Sequence, residues 1–376
     1  MAAFAIKQSK RDPRIDFLRG FALLTIFVDH VPGNFLGMLT LRNFGFSDAA
    51  ELFVILAGFS SSYAYGRSFE NDGAAVGLKR VAMRCARIYF FQVGMLLTTL
   101  VIVDRWTKHF GMHPVSLAPL INGGISEIEK GLSLKALPSS LNILPLYIVL
   151  LGAFPFIYLL ARRSSVPALG VSACLWLVAN LDHDINLTNS LDGKGWFFNP
   201  FAWQFLFTIG VVGARFMAQR GGAMPQIRWV AAAAWLYLGF ALIAAAPWSN
   251  WGLMPPLFPM DAPDKTALAP LRLLHVLALI YLALSSSWFR QFVQHRAFYL
   301  VEVCGKHSLE VFSLGTMIAL FARLSFKTFG TTISAQVLVN GVGFAAMIVL
   351  ALLLERSKTR ARMRPLPPSP AASVSS

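Results

Sequence analysis

The chain has 376 residues, of which 56% are hydrophobic and 14% charged, with a formal net charge of +15. A soluble domain carries about a quarter charged residues. These charges are too few to coat a globule of this size, but they suffice for the two rims of a helical bundle in a membrane. The excess of Lys and Arg does not indicate nucleic acid, because the basic residues fall between apolar segments and at the ends rather than over one domain face.

The basic start (Lys7, Lys10, Arg11, Arg14) runs into an apolar stretch without a small-residue cleavage site, so no cleavable leader is expected. Cys85, Cys174 and Cys304 form neither a metal spacing nor a disulfide framework. A helix needs about 20 mostly apolar residues to cross the hydrocarbon core. That length predicts an all-α polytopic membrane protein with about ten spans, near 15–36, 48–66, 86–104, 142–161, 166–182, 200–218, 229–246, 268–288, 301–322 and 333–354. In domain terms these are a tail at 1–14, a transmembrane domain at 15–355, and a basic then Pro/Ser-rich tail at 356–376 that is expected to be disordered.

Lys and Arg collect on the cytoplasmic side of membrane proteins. With the N-terminus inside, that side receives Arg67, Lys79, Arg80, Arg84 and Arg87, then the pairs and triplets Arg162/Arg163, Arg215/Arg220/Arg228 and Arg290/Arg296, and both basic termini. The segment with Arg323 and Lys327 runs against this bias. An even number of spans with both termini in the cytoplasm follows.

The first span, RIDFLRGFALLTIFVDHVPGN, carries charges, which are costly inside a membrane and usually mark function. Arg19 and His30 are eleven residues apart, about three turns, so they share a face about 16 Å apart along the axis. Asp16, at i−3, is close enough to pair with Arg19, and Asp29 points about 100° away from His30. Two readings fit. In one, His30 is a general base near the outer end and Arg19 binds an anion deeper in. In the other, an interfacial His and an Arg–Asp pair fix the packing.

The second span begins SDAAELFVILAGFSSSYAYG. Asp48 and Glu51 lie on one face near the same membrane side as His30, where they would orient or charge-stabilise it. Alternatively they form a capping box at the helix start. Ala57, Gly58 and Ser60 suit close helix packing better than nucleophilic attack. Before the third span, Lys79, Arg80, Arg84 and Arg87 recur at helical spacing, either as a solvated positive rim or as a phosphate clamp. No Gly-rich phosphate loop, HExxH, CxxC or GxSxG occurs, which speaks against metal or Ser-nucleophile chemistry. On the far side, KGWFFNPFAWQFLF (194–207) interleaves Trp196 and Trp203 with Asn199 and Gln204. These are residues of an aromatic belt or of a sugar site in which rings stack on the sugar and amides take its hydroxyls.

RIDFLRGFALLTIFVDHVPGN followed by LTLRNFGFSDAAELFVILAGFSSSYAYG resembles the OpgC-type proteins of osmoregulated periplasmic glucan modification, which are similar to the acyltransferase-3 superfamily. The resemblance runs from about Arg11 to Glu355. It includes the Arg-x10-His pattern (Arg19, His30), FVILAGF (53–59), RVAMRCARIYFF (80–91), LNILPLYIVLL (141–151), GWFFNPFAWQFLF and GKHSLEVF (305–312). The His that many superfamily members carry in the ninth span is Gly315 here. The resemblance implies an enzyme of the inner membrane that moves an acyl group, expected to be succinyl, from cytoplasmic acyl-CoA to hydroxyls of periplasmic glucans. His30 would deprotonate the acceptor, with Asp29, Asp48 or Glu51 in support. Arg19, Arg80, Arg84 and Arg87 would hold the acyl-CoA co-substrate, and Trp196, Asn199, Trp203 and Gln204 the glucan. No permanently bound cofactor or metal is implied, and the oligomeric state stays open. O-acetylation of another cell-surface polysaccharide, or a transporter or flippase that also uses charges in broken helices, are the competing functions.

Overall fold

The computed structural model describes residues 12–111, 117–258 and 260–363. Its helices are α1 (Pro13–His30), α2 (Ala49–Arg67), α3 (Ala74–Phe110), α4 (Ala118–Asn122), α5 (Gly124–Leu132), α6 (Ile143–Arg163), α7 (Ser165–Leu181), α8 (Pro200–Gln219), α9 (Arg228–Ala245), α10 (Pro247–Asn250), α11 (Pro270–Ser285), α12 (Ser287–Val293), α13 (Tyr299–Lys306), α14 (Ser308–Phe329) and α15 (Ile333–Met363). Among the described residues the only strand-like pairing is an isolated bridge between Thr188 and Gly195. The fold is all-helical.

A helix occupies each of the ten stretches expected to span. However, among the described residues six helices are long and apolar enough to cross a membrane: α3, α6, α8, α9, α14 and α15. The pair α11/α12, bent by 81°, brings the number to seven. The expected ten is therefore not reached by length and composition. The shortfall has plain causes. Helices α1 and α2 carry buried charge, and α7 has only 17 residues.

Local chemistry sets the boundaries. Asp12 caps α1, its side chain accepting from the Arg14 amide, with Pro13 at the first turn. The first span was expected to run to residue 36, but α1 stops at His30 and two 3-10 turns follow (Phe35–Leu39 and Leu41–Asn43). The ninth expected span is broken at His307 into α13 and α14. Helix α15 continues to Met363, so the start of the tail expected to be irregular from 356 is helical. The Pro/Ser-rich remainder and residues 1–11 lie outside the described residues.

Two glycine contacts fix the core. A Cβ on Gly20 would stand 1.9 Å from the Val301 carbonyl oxygen, and one on Gly305 would stand 1.8 Å from that of Asp16. Backbone therefore meets backbone where α1 crosses α13. Gly58 and Gly210 do the same between α2 and α8. Small residues at helix crossings allow this close packing where apolar surroundings supply no hydrophobic drive.

Candidate functional site

Helices α1, α14 and α15 meet along one seam. At one end, Arg19 donates to the hydroxyls of Ser60 (3.2 Å) on α2 and Ser308 at the start of α14. It thereby forms part of the wall of a cavity of about 580 Å³. The cavity is strongly basic: Arg67, Arg84, Arg87, Lys306 and Lys358 line it along with Arg19. Local anions match some of these cations: Arg87 pairs with Glu310, another lining residue. Lys306 pairs with Glu302 at 2.8 Å.

Further along the seam, Leu23, Phe27 and His30 of α1 face Phe312, Gly315 and Thr316 of α14 and Met347 of α15 around a small void of about 10 Å³. Residue numbers rise together on α1 and α14 from the cavity to this void. They fall on α15, from Lys358 and Leu354 to Met347. The basic cavity and His30 are thus successive points on one three-helix seam, about 16 Å apart by the rise of α1.

The His30 ring is held by its own helix. Nδ1 lies 2.7 Å from the Ile26 carbonyl oxygen. A carbonyl can only accept, so Nδ1 carries the hydrogen and Nε2 presents its lone pair. No described residue hydrogen-bonds Nε2. The side chain is partly buried. The charges that act on it through space belong to Asp48, Lys265 and Arg323.

A model of the OpgC protein family matches residues 11–359 of this chain. The chain belongs to the OpgC family. No curated protein and no solved structure matches it.

The geometry of this OpgC chain revises several residue roles read from sequence. Asp48 and Glu51 do not hold the His30 imidazole. They form the capping box of α2: the Ala50 amide donates to Asp48 at 2.8 Å, and the Asp48 amide donates to Glu51 at 2.9 Å. Their remaining oxygens meet cations. Glu51, fully buried, accepts from Arg272 Nε at 2.6 Å, and Asp48 pairs with Lys265 and with Arg272 at 3.2 Å. Two carboxylates and two cations brought together in a low-dielectric interior satisfy each other first, so Asp48 reaches His30 only through its charge. Asp29 is likewise turned away, accepting from Thr40 at 2.7 Å and pairing with Arg42 at 3.3 Å. It anchors the loop after α1 and does not bond the His30 ring.

Of the four residues assigned to sugar binding, Trp196, Asn199 and Trp203 are buried and Gln204 is partly buried. Trp203 is fully buried and donates to the carbonyls of Lys265 and Thr266 at 3.1 Å. Asn199 caps α8 and donates to the Ile185 carbonyl at 2.7 Å. Gln204 is satisfied by Ser172 and the Phe201 carbonyl, and Trp196 is 6% exposed. The polar groups of Trp203, Asn199 and Gln204 are taken up by partners within the protein, and Trp196 is buried, so none presents an open sugar platform.

Of the basic helix face, Arg84 and Arg87 line the cavity, whereas Arg80 turns aside to Ser68 and, at 3.4 Å, Asp72. Sequence reasoning missed Lys306, His307 and Lys358. His307 lines the cavity at the break between α13 and α14 and pairs with Glu355 of α15 at 2.8 Å. The stretch GKHSLEVF entered the family resemblance but carried no role there, because nothing local shows that its partner lies 48 residues on.

Proposed function

We propose that this protein is a membrane acyltransferase of the inner membrane that takes an acyl group, succinyl, from acyl-CoA on the cytoplasmic side and passes it to hydroxyls of periplasmic glucans. The observation that carries the reading is the pairing on α1 of a buried guanidinium in the wall of a basic cavity with an imidazole whose Nε2 is free to accept a proton. Membership of the OpgC family supports the reaction class.

In this reading the basic cavity takes the phosphates of the donor, since clustered Arg binds phosphoryl oxygens at two points. The pantetheine arm follows the α1/α14/α15 seam toward His30. There the acceptor hydroxyl gives its proton to Nε2 while its oxygen attacks the thioester carbonyl. The C–S bond breaks, and the imidazolium returns the proton to the departing thiolate, so atoms and charge balance without a cofactor. Between the cavity and His30 the seam is filled by Leu23, Phe27 and Phe312 around a void of about 10 Å³. The arm therefore enters by parting these side chains, and CoA binding supplies the energy for it.

Mass spectrometry of periplasmic glucans from cells with and without the gene tests the proposal. Loss of succinyl mass from the glucans supports it. Unchanged glucans, or glycan that crosses the membrane unmodified in a radiolabel assay, overturn it in favour of transport.

A further inference from the structure

Arg42, Lys265, Arg272 and Arg323 are four of the cations at the end of the bundle that carries His30, and three of them are matched. Arg42 pairs with Asp29, Lys265 with Asp48, and Arg272 with Glu51 and Asp48. Arg323 is the fourth. It lies on α14, is partly buried, and makes no hydrogen bond or ion pair with any described residue. A guanidinium stays charged at any physiological pH, and leaving one partly buried without an anion is costly.

Its position on α14 narrows what the missing anion is for. Phe312 and Arg323 are eleven residues apart, about three turns, so they share a face of the helix. Phe312, Gly315 and Thr316 on that face border the void at His30. Long helical side chains lean back toward the N-terminus of their helix, which for Arg323 means toward Thr316 and His30. Its charge is felt at the imidazole. This cation also runs against the charge bias of the rest of the sequence, and the positive-inside rule does not explain it.

Resting on the acyl-transfer reading above, we infer that Arg323 is a specificity-determining residue that binds the free carboxylate of a dicarboxylic acyl group while its thioester carbonyl sits at His30. In a succinyl thioester only two methylene groups separate the reacting carbonyl from that carboxylate. A base at the first and a planar guanidinium for the second select this chain over a neutral one of equal length. The same anion chemistry could sit on the acceptor glycan, so the donor's charge is the variable to change.

The test uses the full-length protein in proteoliposomes, a neutral glucose oligosaccharide as acceptor, and succinyl-CoA or butyryl-CoA as donor. The wild type is expected to favour succinyl. Arg323→Gln is expected to lose about ten- to hundredfold in succinyl transfer, the range of a charge-assisted hydrogen bond, with butyryl transfer kept or raised. Arg323→Lys, which keeps the charge without the fork, is expected to fall between. Equal losses on both donors, in variants whose melting temperature matches the wild type, overturn the inference and leave acyl transfer intact. A wild type that transfers neither group overturns the function itself, and this inference with it. A defect that appears only with an acidic acceptor moves the anion to the glycan and overturns the donor assignment.

Discussion

Replacing His30 by Asn separates its chemistry from its packing. The imidazole makes one hydrogen bond, from Nδ1 to the Ile26 carbonyl at 2.7 Å, and borders a void of only about 10 Å³. An Asn amide at the same position can donate to the same carbonyl but has no basic nitrogen. Its stability cost is therefore within about 1 kcal/mol, the net worth of one such bond. The loss of a general base costs about 10²–10⁴-fold in rate, or about 3–5 kcal/mol at 1.36 kcal/mol per tenfold. His30→Ala should lose as much activity and somewhat more stability. The assay is transfer of labelled acyl groups from acyl-CoA to glucan in proteoliposomes, with thermal melting of the detergent-solubilised variants alongside. Activity of His30→Asn within about threefold of wild type would refute the base assignment, since no other feature of Asn can take the proton.

Three further outcomes are expected. Arg84→Glu with Arg87→Glu should raise the KM for acyl-CoA at least tenfold, whereas Arg80→Glu should leave it nearly unchanged because Arg80 faces Ser68 and Asp72, away from the cavity; equal effects in a donor titration would return all three to a plain basic rim. Glu51→Gln strips the buried Arg272 of its closest carboxylate and should cost about 3–5 kcal/mol, while Glu51→Leu combined with Arg272→Leu should recover most of it; melting curves that fall equally for both would contradict the pairing. Gly305→Ala puts a methyl 1.8 Å from the Asp16 carbonyl and should cost about 1–3 kcal/mol by forcing α1 from α13, measured as a drop in melting temperature; an unshifted melt would show that the two helices can part without cost.

Some of this protein could be read from the chain alone, because the relevant signal is local. Composition and apolar runs give a helical bundle, since a membrane allows only helices and closed barrels, and apolar runs of about 20 residues fit helices rather than strands. The 3.6-residue period puts Arg19 and His30 on one face, and the Asp48–Glu51 spacing announces the capping box. What the sequence could not determine is which charge meets which across helices. Asp48 and Glu51 lie on the same side as His30, yet the structure gives them to Lys265 and Arg272, more than 200 residues away along the chain. Trp203 and Asn199 sit in a stretch that reads as a sugar platform, but tertiary packing turns them inward, Asn199 to cap α8 and Trp203 to the carbonyls of Lys265 and Thr266. Only the packed bundle lines up α1, α14 and α15, connecting the basic cavity to His30 and leaving Arg323 without a partner among the described residues. The physical reason is that a charge's energy in the interior depends on its neighbours within a few ångströms, and those neighbours are set by how the helices assemble.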